Sequence, residues 1–242
     1  MTVEELTGRE ALDTAKRNKA FRDWPVNRKL KNRLEPFAAP NFTPSFHLIA
    51  GETVFTIGSC FARGIEDGLK AVGFDIAAHR IFDDPRISSS GVDSSVLNKY
   101  TPQSILNEFR WALEPDMHPY PDPGAFFELL PDRWQDGNMH AFDECPLSIV
   151  RDRRKSVLEI ARLVKECRVV IITPGIIEVW WDKETQSYLN QAPPMRYFVR
   201  NPDRFLFRVL DYIDVLEAFE EIHALLSKHL RPDFRILFSV SP

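Results

Sequence analysis

Cysteine is scarce in this chain of 242 residues, and the three present (Cys60, Cys145 and Cys167) form no C-x-x-C pair. An odd number without metal-ligand spacing excludes a zinc knuckle and a complete disulfide framework, and it fits a reducing compartment. Long apolar runs are missing too. No stretch approaches the roughly 18 residues that a membrane-spanning helix needs. The charged segment Met1 to Ala20 lacks the apolar core of a signal peptide, so the expected location is the cytoplasm, without membrane association. A strong excess of one charge is also absent. The net charge is −4, the basic run Arg151, Arg153, Arg154 and Lys155 is interrupted by Asp152, and a polyanionic partner such as nucleic acid is not expected. Internal repeats and low-complexity tracts are lacking as well.

The remaining composition, 44% hydrophobic and 27% charged, is that of a globular protein long enough for one sizeable core with insertions. The punctuation of the chain predicts an N-terminal arm over residues 1–45, with a helical signal up to Phe21, then Pro25, Pro36, Pro40 and Pro44. A folded domain over 46–242 follows. In that domain the apolar run Val54 to Ile57 leads into Phe61, Ile65, Leu69 and Val72, spaced as one helical face. Gly73 stands where a helix C′ glycine belongs, and Phe74 to Ala78 can return as a parallel strand. Asp83 to Lys99 reads as a loop.

A helix begins cleanly at Thr101 and Pro102, with Ile105, Phe109 and Leu113 as its apolar stripe. Glu114 to Asp143, dense in Pro, Asp and aromatics, reads as an irregular lid or insertion, too irregular for a second core. A helix over Leu147–Glu166 then feeds the β-branched strand Arg168–Thr173, ended by Pro174 and Gly175. Trp181 to Phe207 reads as a long connection. The last helix is expected to start at a capping box formed by Asp214 and Glu217, burying Val215, Phe219, Ile222 and Leu226, before a final strand Phe234–Val240. Alternating helices and buried strands predict an α/β fold: a three-layer α/β/α sandwich with a mainly parallel sheet, carrying an irregular insertion. Ser59, Gly175 and Ser241 all fall at strand ends, where such sheets build their sites. Because the chain stops just after a strand, the domain is expected to lack its C-terminal segment.

The turn Gly58-Ser59-Cys60 joins the first strand of the domain to its helix. A serine there is a good nucleophile position, since nearby backbone N–H groups can receive an oxyanion, but serine is equally a favoured N-cap. Cys60, at the first helical position, is an alternative thiol nucleophile, without a histidine pattern to support it. Glu178, Trp180, Trp181 and Asp182 form an acidic and aromatic cluster compatible with a glycan, although core aromatics at a strand exit would look the same.

Gly58-Ser59-Cys60-Phe61-Ala62 resembles the signature of the GSCFA family, a branch related to the SGNH (GDSL-like) esterases and acyl hydrolases. Tyr100-Thr101-Pro102-Gln103-Ser104-Ile105, Thr173-Pro174-Gly175-Ile176-Ile177-Glu178-Val179-Trp180 and Ser239-Val240-Ser241-Pro242 are similar to further segments of that family. The resemblance runs from about Thr53 to the terminus and implies an SGNH-hydrolase-like, flavodoxin-like fold. Ser59 would be the nucleophile, with oxyanion donors from Cys60, Gly175 and a loop glycine, Gly91. Where SGNH enzymes place an asparagine this chain has Ile177, with Glu178 the nearest polar substitute. No Asp-x-x-His occurs, and Glu220-x-x-His223 lies within a helix. The base is then His140 or a residue beyond Pro242. His140, Glu178 and Trp180 are the expected substrate-binding residues. The implied activity is an esterase or acyltransferase acting on O-acyl groups of a carbohydrate or other small polar molecule, without cofactor or metal. The alternative is a non-catalytic glycan- or anion-binding module.

Overall fold

The computed structural model describes residues 7–17 and 44–239. The chain divides into two units, 1–47 and 48–242. In the first, helix α1 (Gly8–Arg17) is opened by Thr7, whose hydroxyl and amide both bond Glu10. Asn18 to Phe21, the rest of the expected helix, lie outside the described residues, as do Val240, Ser241 and Pro242.

The second unit begins with β1 (Thr53–Gly58) and α2 (Cys60–Ala71), followed by the short β2 (Asp75–Ile76). Gly73 ends α2 in the left-handed region at φ +90°, its amide donating to Lys70 O while that of Phe74 donates to Leu69 O. Residues 77–83 and 94–97 are 3₁₀ turns, with α3 (Pro85–Ser88) between them, so the predicted loop is largely ordered. Next come α4 (Pro102–Leu113), the hairpin β3 (Phe126–Leu130) and β4 (Arg133–Asp136), α5 (Leu147–Arg162) and β5 (Val169–Thr173). The chain finishes with β6 (Glu178–Asp182), β7 (Ser187–Tyr188), α6 (Met195–Phe198), β8 (Phe205–Val209), α7 (Tyr212–His229) and β9 (Arg235–Phe238).

The central sheet has the order β2-β1-β5-β9, all parallel, with Val54 opposite Val169 and Gly58 opposite Thr173. Phe55 and Ile57 of β1 and Val170 and Ile172 of β5 pack against Ile105, Phe109 and Leu113 of α4 and Ile222 and Leu226 of α7. The opposite phase of β1 carries Thr56, which bonds Glu66 of α2. Helices thus cover both faces, giving the three-layer α/β/α sandwich.

Four sequence expectations are corrected. The helix after Ser59 buries Ala62 and Glu66, leaving Phe61 and Val72 exposed. The carboxylate of Glu66 is held by Thr56, by His79 at 2.8 Å and by an ion pair to Arg63 at 3.0 Å, and it turns that face inward. Glu114 to Asp143 contains the β3–β4 hairpin. Phe127 and Leu129 of this hairpin form a second apolar cluster with Leu189 and Phe205, so the segment does take part in a small core. The expected connection from Trp181 to Phe207 is instead built into a three-stranded antiparallel sheet, β7-β6-β8, in which β6 and β7 form a short hairpin and β8 pairs with β6 across more than twenty residues. Finally, α7 starts one turn early: Asp211 caps it and exchanges hydrogen bonds with Asp214, at 3.0 and 2.9 Å.

A buried charge network ties the insertion to the sandwich. Lys99 and Arg154 bond Glu108, at 2.6 and 2.9 Å, and Arg154 also bonds Asp136 at 2.8 Å. Burial alone would raise the Glu108 carboxyl, but the charges of Arg154 and Lys99 hold it below its ordinary range. Lys99 also donates to Asn138 O at 2.6 Å, fixing the segment that runs past the end of β1.

Candidate functional site

At its C-terminal end β1 is flanked on both sides. Ser59 N donates to Thr173 O at 2.9 Å, and Lys99 N donates to Gly58 O at 2.7 Å. Gly58 forms a parallel bridge with Asn98. The chain then crosses over the sheet end, where Tyr100 O accepts the amides of Gly175, at 2.9 Å, and Ile176, at 3.1 Å. Gly58 has φ +151°, and a Cβ there would lie 2.2 Å from Thr173 Oγ1 and 2.4 Å from Thr173 O. Only glycine lets the strands approach this closely while the chain turns into α2.

Ser59 is the N-cap of α2, with φ −70° and ψ −174°, and is 3% exposed. Its Oγ accepts the amide of Phe61 at 3.4 Å, a long bond. Cys60 is the first helical residue and its thiol is exposed. As an N1 amide, its N–H has no intrahelical partner. The corner therefore combines a serine oxygen, two early helix amides and the positive end of a three-turn helix.

A cleft of about 500 Å³, lined by Tyr100, His140, Glu178, Trp180, Asn190 and Gln191, is linked to this corner through Asn98, which bridges Gly58 and bonds Tyr100 and Asn190; Ser59 itself does not line it. Of the residues named from sequence, His140, Glu178 and Trp180 are brought together in its wall. Trp180 is fixed edge-on against Phe198 and Phe207, each with ring centroids 5.3 Å away. His140 stacks edge-on against Tyr100, its Nε2 3.2 Å from the phenol oxygen and its Nδ1 3.0 Å from Gln191 Oε1. Asn190 ties the cleft to the crossing segment: its Nδ2 donates to Asn98 O at 2.8 Å and its Oδ1 accepts Tyr100 N at 3.1 Å.

Two glycines were expected as further oxyanion donors. The N–H of Gly175 is committed to Tyr100 O, so it does not stand open as an oxyanion donor. Gly91 sits exposed in a turn at φ +68°, and among the described residues no hydrogen bond or strand bridge joins it to the Ser59 corner. The residue of that loop lying alongside Gly58 is Asn98, 2% exposed. Sequence reasoning did not single out Asn98, Tyr100, Asn190 or Gln191. Asn98 and Tyr100 carried one signal, their place at the start of the Thr101–Pro102 helix, whereas Asn190 and Gln191 lie far from it in sequence and carried none. Ile177 is 44% exposed and contributes no polar group. His79 bonds Glu66, His118 and His229 approach Glu114, and His223 is exposed on α7. Neither these four histidines nor His140 hydrogen-bonds Ser59, and among the described residues no group of three or more side chains is arranged to hold a metal ion. No helix among them is long and apolar enough to cross a membrane.

No curated protein and no solved structure matches the chain. The family model of the GSCFA family matches residues 53–242, the whole of the sandwich from β1 onward together with the Ser59 corner and the cleft, and the chain belongs to that family.

Proposed function

We propose that the protein is an SGNH-like serine acyl hydrolase or acyltransferase that acts on O-acyl groups of a carbohydrate or similarly hydroxyl-rich molecule. The observation that carries this reading is the Ser59 corner: a serine at a strand-to-helix turn, over early helix amides, linked through Asn98 to a cleft walled by His140, Glu178 and Trp180. In this reading Ser59 Oγ attacks the acyl carbonyl and its proton passes to a general base. The oxyanion takes hydrogen bonds from the Cys60 and Phe61 amides, and collapse expels the alcohol, leaving an acyl-serine. Water or an acceptor hydroxyl then releases the acyl group. Trp180 offers a face to a sugar ring, while Glu178 and His140 offer partners for its hydroxyls. Three unpaired cysteines support a reducing, cytoplasmic setting.

A fluorophosphonate probe is expected to label the protein at Ser59, and Ser59→Ala to abolish labelling. Labelling that survives in that variant would sink the assignment. One observation favours a second reading, a binding module without turnover: no described histidine of the second unit hydrogen-bonds Ser59. That module would bind oligosaccharides or small anions, followed by titration calorimetry, with affinity unchanged in Ser59→Ala and no probe labelling.

A further inference from the structure

Two side-chain oxygens on the segments flanking Gly58 are buried without a hydrogen-bond partner, Asn98 Oδ1 and Thr173 Oγ1. Buried polar atoms are rarely left so, and each calls for an explanation. For Asn98 the surrounding bonds fix which way the amide faces. Gln191 Nε2 donates to Met139 O at 3.3 Å, leaving its Oε1 to accept the Nδ1–H of His140 at 3.0 Å. The other nitrogen of a neutral His140, Nε2, is then an acceptor and takes the Tyr100 hydroxyl at 3.2 Å. The phenol oxygen accepts in turn from Asn98 Nδ2 at 3.3 Å. Each polarity follows from the one before, so the Asn98 oxygen is the end turned away from Tyr100.

That oxygen has essentially no accessible surface, so its donor is itself enclosed, and the rotatable hydroxyls next to the Gly58 bridge are those of Thr173, opposite Gly58, and of Ser59, which follows it. Ser59 follows the glycine that bridges Asn98 and is itself buried. Its oxygen accepts only the long Phe61 bond, and its hydroxyl donates to nothing else among the described residues. We propose that Asn98 is a positioning residue for Ser59, whose hydroxyl has two stations: capping α2, and donating to Asn98 Oδ1. The second station releases the Phe61 amide, so cap and oxyanion site alternate at one nitrogen. The catalytic consequence rests on the acyl-transfer reading of Ser59, whereas the two stations themselves do not.

The test combines nuclear magnetic resonance with probe labelling on the full chain. The side-chain amide signals of Asn98, identified by their loss in Asn98→Asp, should shift in Ser59→Ala and stay in place in Thr173→Val. Asn98→Ala should slow fluorophosphonate labelling about tenfold, the expected cost of one hydrogen bond. Asn98→Asp, which keeps an acceptor in place, should restore the rate as its new carboxyl ionises with rising pH. Asn98 signals that move in Thr173→Val and not in Ser59→Ala overturn the inference, as does a parent labelling rate in a folded Asn98→Ala. If the parent protein takes no probe, the acyl-transfer reading falls, and the resonance shifts still decide whether Ser59 serves Asn98.

Discussion

Gly58 shows how much of this site depends on one missing methyl group. Its positive φ and its closeness to Thr173 leave a side chain nowhere to go, because one of the obstructing atoms is the carbonyl that receives Ser59 N–H. Gly58→Ala should therefore cost roughly 3 kcal/mol or more, read as a lowered urea midpoint, through backbone strain added to overpacking. Ser59 and Cys60 separate chemically at the same corner. The Cys60 thiol is exposed, whereas Cys145 and Cys167 are buried, and burial pushes the Cys167 thiol up to about 12. Iodoacetamide should alkylate Cys60 alone in the native protein and all three cysteines in denaturant, as counted by mass spectrometry. If the Cys60 thiol takes no part in the chemistry, Cys60→Ser, which iodoacetamide does not alkylate at this position, will still label at Ser59.

Among the elements, α4 carries the most. Its first turn starts beside Tyr100, its middle supplies Glu108 to the buried network, and its end meets α7 through Glu114. Removing Glu108 leaves buried Lys99 without a carboxylate and Arg154 with Asp136 alone, so Glu108→Ala should destabilise the protein by about 3–5 kcal/mol in chemical unfolding. The loss would also loosen Lys99, and with it the segment that carries Asn98 and Tyr100 across the sheet end. Glu114 accepts from Lys228 and His229, and these bonds hold its carboxyl down to about 2. Because this pKa is depressed on folding, the stabilisation is fully present above the ordinary carboxylate range and is lost as pH falls towards 2. A carbon-detected titration of Glu114 should place its midpoint well below those of exposed glutamates. A midpoint near 4.5 would remove the link between α4 and α7.

At the scale of the molecule, β1 and β5 lie at the centre of the parallel sheet, and β2 and β9 at its edges. Amides of Val54–Ile57 and Val169–Thr173 should be the slowest to exchange with deuterium. Those of β8, whose Leu206, Phe207 and Val209 are exposed, should exchange sooner. The central elements were legible in the sequence because their signals are local: an unbroken β-branched run for β5, Thr101 and Pro102 at a helix start, Gly73 at a helix end. Corrections came where the deciding force is not local. The inward face of α2 is chosen by Glu66 meeting Thr56 and His79, which outweighs the apolar spacing of Phe61 and Val72. In the sheet of β6, β7 and β8, the β6–β7 hairpin is local, but β8 joins it only through pairing with β6 across more than twenty residues, which no local signal announces. The site divides in the same way. By itself the sequence determined a serine at a strand-to-helix corner, because an apolar strand, a Gly-Ser turn and an amphipathic segment follow one another directly. Only the tertiary structure decided its surroundings. It brings His140, Glu178 and Trp180 into one cleft, turns the Gly175 amide to Tyr100, and seats Asn98 beside Gly58. These contacts arise from chain crossings at the C-terminal end of the sheet, where packing of distant segments, not local propensity, sets which atoms meet.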